Sequence, residues 1–186
     1  MSKQIEEVIL CSLCNYSTNE AILWGVYEYV ISDNVFLHMK RTYGWCYSCK
    51  EIKPIEVLPD KPKLEKELEV LNSTRKRWTA LTEFKSNRAL ETVDEKIKEI
   101  QDCLKFLNLR KAPPRCLTCG STDVVNIVRP NVQEGESVQL AFTHPGCGGT
   151  FTVKNSRNDS GIRFNWRIYR RLYSVNGQFI SKEIWR

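Results

Sequence analysis

The chain has 186 residues, of which 41% are hydrophobic and 27% charged, with a formal net charge of +6. Such a composition is that of a folded globular protein and excludes disorder over most of the length. The first ten residues, MSKQIEEVIL, lack the apolar run of a signal peptide, and no later stretch approaches the roughly 18 apolar residues of a membrane span. A soluble, cytoplasmic protein of one or two small domains is therefore expected.

The charge is unevenly spread. Residues 1–60 carry 5 Lys/Arg against 8 Asp/Glu, residues 61–111 carry 13 against 9, and residues 112–186 carry 10 against 5. The amino-terminal third is acidic and the remainder basic, which points to different partners for the two ends.

In residues 1–60, β-branched and aromatic residues dominate Trp24–Ile31 and Val35–Thr42, separated by the turn-forming Ser32, Asp33 and Asn34. This is a hairpin pattern. Pro54, Pro59 and Pro62 mark a connector. From residue 63 to 110 the chain has neither Gly nor Pro and is rich in Glu, Lys and Leu, which favours helix.

Leu90, Val93, Ile97, Ile100, Leu104 and Leu107 recur at spacings of three and four and make one apolar stripe. Leu64, Leu68 and Leu71 make another, out of phase with the first. Two antiparallel helices meeting near residues 85–92 fit this pattern, with Ser86-Asn87 or a Thr92/Glu95 capping box as the second start. The alternative is one long helix that forms a homodimeric coiled coil. Beyond Pro113-Pro114 the text is again strand-like: Val124–Val128, Val138–Thr143, Thr150–Lys154 and Ile162–Val175, with a turn at Asn176-Gly177.

Six of the eight cysteines form three Cys-x-x-Cys pairs, Cys11/Cys14, Cys46/Cys49 and Cys116/Cys119, and Cys147 stands three residues after His144. A Cys-x-x-Cys turn holds two thiolates close enough to share one ion, and two such turns complete a tetrahedral shell. Sequence proximity assigns Cys11, Cys14, Cys46 and Cys49 to one zinc ion. It assigns Cys116, Cys119, His144 and Cys147 to a second. Gly120 and Gly148 directly follow two of the turns, where they permit the backbone to aim amides at sulfur. Cys103 lies among apolar residues of the second helix and reads as a small core residue, and His38 reads as a strand residue outside the metal sites. Thioredoxin-like redox use of the pairs would require a βαβ context that is absent here. Iron in place of zinc is the remaining chemical alternative.

These ligand patterns resemble the zinc-ribbon (rubredoxin-like) fold at both ends of the chain. The resemblance implies a small antiparallel sheet beneath each ion. It transmits no function, because ribbons serve many unrelated systems. The expected fold is therefore α+β: an N-terminal ribbon over 1–60, a helical hairpin over 61–111 and a C-terminal ribbon over 112–186.

Alternation in the last long strand places Phe164, Trp166, Ile168 and Leu172 on a core face with Arg170. Arg163, Asn165, Arg167, Tyr169, Arg171 and Tyr173 fall on the outer face, where arginines and tyrosines suit phosphate contact and base stacking. The cluster Arg75-Lys76-Arg77 reads as a solvated helix face. No His-Glu motif, phosphate-binding glycine loop or nucleophile with a matched base occurs, so no enzyme activity is expected. The functional expectation is a non-catalytic nucleic-acid-binding or regulatory module acting through the basic C-terminal ribbon. The alternative is a protein-interaction adaptor docking through the acidic N-terminal ribbon or the helices.

Overall fold

The computed structural model describes residues 5–19, 23, 25–33, 35–80, 87–128, 130–157 and 168–185. The expectations placed on Trp24, Asn34, Ser86, Arg163, Phe164, Asn165, Trp166 and Arg167 lie outside the described residues. The class is α+β: a pair of helices sits between strand-rich regions. Among the described residues, no helix is long and apolar enough to cross a membrane.

The first strands are β1 (Ile5–Cys11), β2 (Ser17–Asn19), β3 (Val26–Ser32), β4 (Val35–His38), β5 (Arg41–Cys46) and β6 (Glu51–Glu56). The helices are α1 (Lys61–Ala80) and α2 (Asn87–Leu109). After them come β7 (Val124–Asn126), β8 (Ser137–Thr143), β9 (Thr150–Arg157), β10 (Tyr169–Ser174) and β11 (Phe179–Ile184). The β3–β4 hairpin and the turn at Gly177, whose φ is 74°, lie where the sequence places them. The connector is shorter than expected, because Pro54 lies within β6. It is tolerated there since β6 is an edge strand, where a missing N–H breaks no ladder.

The three sheets run β2-β1-β9-β8, β11-β10-β3-β4 and β6-β5-β7. Each takes strands from both sides of the helical pair. In the first, β1 lies antiparallel to β9 from Ile5↔Arg157 to Cys11↔Phe151. In the second, β10 runs parallel to β3, a pairing the expectation of two antiparallel ribbons does not contain. In the third, β7 pairs with β5 at Gly44↔Asn126. A Cβ on Gly44 would come within 2.6 Å of the Val125 carbonyl oxygen, so the close approach of β7 requires glycine there. Residues 1–60 and 112–186 therefore interleave.

Among the described residues two large apolar cores result, beside a small cluster of Cys46, Ile55 and Cys116. One packs Ile9, Tyr43, Trp45, Ile52, Leu140, Phe151 and Val153 between the first and third sheets. The other packs Tyr27, Tyr29, Met39, Leu117 and Tyr173 with Phe106 of α2. Burial of Val93, Ile97 and Ile100 shows that the α2 stripe is covered within the chain. The helices are antiparallel, since Lys61 meets Asn108 at 3.0 Å and Arg75 meets Asp94 at 2.5 Å. Asp60 opens α1 by accepting a bond from the Lys63 N–H. Thr92 is not a cap: its hydroxyl donates to the Arg88 carbonyl inside α2.

The fully buried Glu56 fixes the base of the hairpin. Its carboxylate accepts from Arg110 Nη1 and Nη2 at 2.9 and 2.5 Å, from the Arg115 N–H at 3.1 Å and from the Tyr29 hydroxyl. Burial, and then the Glu56 charge, raise the Tyr29 phenol far above its usual value, so it remains the donor. Arg110 also donates to the carbonyls of Ala112, Pro113 and Val175. Arg110→Ala strands a buried carboxylate and should lower stability by about 3–5 kcal/mol in a denaturant titration. A loss below about 1 kcal/mol would show that the pair is not what anchors the hairpin.

Candidate metal centre

All eight expected ligands converge, but in a different grouping. Cys11, Cys14, His144 and Cys147 form one cluster, and Cys46, Cys49, Cys116 and Cys119 form the other, each with its donor atoms within 4.8 Å of one another. The assignment by proximity in sequence is thereby corrected. Strand pairing is the cause: β1 and β9 bring the tips of the β1–β2 and β8–β9 hairpins together, while β5 and β7 do the same for the other two turns.

Sulfur separations of 3.4 Å for Cys11–Cys147 and 3.5 Å for Cys46–Cys119 are far too long for disulfides. They approach the ~3.8 Å edge of a tetrahedron with metal–sulfur distances near 2.3 Å. His144 presents Nδ1 at 3.4 Å from the Cys14 sulfur and 3.1 Å from that of Cys147. Its ring is held between Tyr16, Trp45 and Phe151, with centroids 5.3, 5.0 and 5.1 Å away. Aromatic packing thus fixes the orientation that aims Nδ1 at the sulfurs.

Three of the four ligand turns share one backbone form. The amide of Lys50 bonds the Cys46 carbonyl, that of Gly120 the Cys116 carbonyl and that of Gly148 the His144 carbonyl, each at 2.8 Å. The residue closing each turn is left-handed, with φ of 55°, 77° and 75°. Glycine fills two of these positions as the sequence suggests, and Lys50 accepts the strain at the third. The paired turns are also tied to each other. Ser12 N–H donates to the Thr150 carbonyl at 2.9 Å, and Ser48 Oγ to Ser121 Oγ at 2.9 Å.

Electrostatics show why a cation belongs here. Burial raises the Cys49 thiol strongly, and hydrogen bonds with Cys119 and Cys46 add to the effect. Burial likewise pushes Cys116 up to about 11. For Cys147 the largest single effect is a lowering bond from the Gly149 amide, but desolvation and the interactions with Cys11 and Cys14 together raise it. Cys11 goes the other way. Desolvation opposes it, yet bonds from the Leu13 amide, His144 and Cys147 bring it down to about 6. Neighbouring thiolates cannot all ionise alone, and a divalent cation removes that conflict. Both donor sets therefore fit a metal ion, and three or four thiolates favour zinc chemically.

Compared with protein-family models, curated proteins and solved structures, the chain matches none. The ligand turns remain compatible with zinc-ribbon-like sites.

The proposed nucleic-acid face fares differently. Tyr173 is buried, and its hydroxyl donates to the Leu117 carbonyl at 3.0 Å. Tyr169 is half-buried beneath Lys182 Nζ, and Arg171 lies 4.8 Å over the Tyr27 ring. Arg170, expected inside, pairs with Glu28 and Glu183, and Ile168 is exposed. Tyr173 is covered because it shares its face with Tyr27 and Tyr29 of the parallel partner β3, and that face packs against Phe106 of α2 and Leu117. His38 is exposed, and Cys103 packs at the margin of the second core, as the sequence reading holds. Sequence reasoning missed a cavity of about 570 Å³ beside the Cys116–Cys119 turn, into which Lys53, Arg115 and Arg171 converge. These cations are far apart in sequence and leave no local signal.

Paired substitutions test the grouping. Cys11→Ser with Cys147→Ser should cost one metal ion per chain, whereas Cys11→Ser with Cys49→Ser should cost both. Elemental analysis giving the reverse would restore the assignment by sequence proximity. Proton release offers a second test. At pH 7 the raised thiols of Cys49, Cys116 and Cys147 are protonated in metal-free protein, so zinc must expel their protons and its affinity must fall as pH falls. Calorimetry in buffers of differing ionisation heat should show that release, and a buffer-independent heat would contradict it.

Proposed function

We propose that the chain is a zinc-stabilised, non-catalytic module that binds nucleic acid. The supporting observation is the convergence of Lys53 from β6, Arg115 from the ligand turn and Arg171 from β10 on one cavity whose lining includes no Asp or Glu. Cations gathered from separate elements make a surface that attracts phosphate, and the basic balance of residues 61–186 extends the attraction. Ligand count supports the non-catalytic reading: with four protein donors at each site, a bound ion would keep no open position for water or substrate.

A protein-interaction adaptor is the second reading. It is favoured by the edge strand β11, where Phe179, Ile180 and Ile184 are exposed together with the adjoining Trp185. Such an edge offers both backbone pairing and apolar contact to a partner.

Salt dependence separates the two. Binding of an oligonucleotide should fall linearly on a log–log plot against salt. In the Arg115→Gln, Arg171→Gln double variant the slope should be shallower by about one for each phosphate that is no longer neutralised. Salt-insensitive binding, or a variant that matches the parent, would move the function to the adaptor.

A further inference from the structure

The cavity beside the Cys46/Cys49/Cys116/Cys119 cluster is more than a charged surface. Its three cations are not equivalent. Lys53 forms an ion pair with Glu51 and also feels the Cys49 sulfur, so its charge is largely committed to its own neighbourhood. Arg115 donates Nη1 to the Gly120 carbonyl at 3.0 Å, but its buried Nε has no hydrogen-bond partner. Arg115 also lines the cavity, where its charge attracts an anion. Arg171 lines the same cavity while stacked on Tyr27, which Arg41 also covers at 4.4 Å.

The remaining wall is aromatic. Phe179 is 58% exposed and meets Tyr173 in a T-shaped contact at 5.8 Å and 74°, so much of its ring stays accessible. Guanidinium donors, an accessible ring and about 570 Å³ of space match an anion joined to a flat ring. In duplex the bases are stacked and paired and cannot enter a cavity, whereas an unstacked nucleotide can.

We propose that this cavity receives one unstacked nucleotide of a single-stranded nucleic acid, its phosphate against Arg115 and Arg171 and its base against Phe179. The inference rests on the nucleic-acid reading above and adds the strand preference to it.

The test is fluorescence anisotropy on the full, metal-loaded chain with a labelled oligothymidylate and with its duplex with oligoadenylate. The single strand should bind at least about tenfold more tightly than the duplex. Phe179→Ala should weaken single-strand binding about five- to a hundredfold, the range expected when one base loses its stacking platform, and leave duplex binding unchanged. Phe179→Trp should restore it, which separates stacking from a folding defect. Equal affinity for both forms, or a Phe179→Ala variant that holds the single strand as before, would overturn the cavity assignment while leaving the nucleic-acid reading intact. Failure to bind either form at low salt would overturn both.

Discussion

Neighbouring thiols resist ionising together, so a cluster of three or four is held as thiolates only by a shared cation. Here that requirement is imposed across the whole chain. Cys11 and Cys147 are separated by 136 positions, and Cys46 and Cys119 by 73. A metal ion in each cluster therefore closes loops that contain the entire helical pair. Constraining such long loops removes somewhat more freedom from the unfolded chain than closing the two shorter terminal ones would. The difference is about 1 kcal/mol per site, because the cost grows only logarithmically with length. The same topology makes most pairings non-local, so the sheets depend on contacts that form only after distant segments meet. Metal, sheet and core are thus coupled: Trp45 stands beside His144 of one cluster while its neighbour Cys46 is a donor in the other.

The helical hairpin enters this arrangement through polar as well as apolar contacts. Phe106 packs on Tyr29 at 4.2 Å, and one helical turn further on Arg110 closes over Glu56. Because Glu56 also accepts from the Arg115 amide, just before Cys116, the hairpin base and the Cys46/Cys49/Cys116/Cys119 centre share a short polar path. A buried charge of this kind adds little net stability over an apolar substitute, yet it penalises any arrangement that leaves it unpaired. It therefore specifies where the chain leaves the helices and enters the ligand turn.

The legible parts of the sequence were those whose physics is local. Cys-x-x-Cys spacing and a following Gly120 or Gly148 announce a ligand turn wherever it sits in the fold. The 3.6-residue period of α2 and the turn at Gly177 are equally self-contained. Which turn meets which is decided by β1 against β9 and β5 against β7, and any two turns could in principle complete a tetrahedron. Proximity along the chain was the wrong guide because the strands interleave. The same cause inverted the faces of β10. Alternation tells which residues share a face, and only the packing of Phe106 and Leu117 against Tyr173 tells which face is covered. Glu56 and Lys53 carry no sequence signal at all. Glu56 sits in the proline-containing stretch that reads as a connector and Lys53 directly precedes it, and burial of one and convergence of the other arise from tertiary contacts alone.

Basic side chains near a tetrathiolate centre have a structural use, since a zinc ion with four thiolates keeps two negative charges. Lys53 fits that use, lying close enough to Cys49 for the sulfur to raise its affinity for a proton. Arg115 and Arg171 fit it less well. An arginine placed only to balance sulfur would aim its donors at the thiolates, whereas Arg115 spends one on the Gly120 carbonyl and leaves Nε unmatched, and Arg171 lies on an aromatic ring. An exposed phenylalanine on the rim has no role in neutralising the centre. Taken together, two guanidinium groups and an exposed ring lining one cavity describe a site shaped for something from outside the chain.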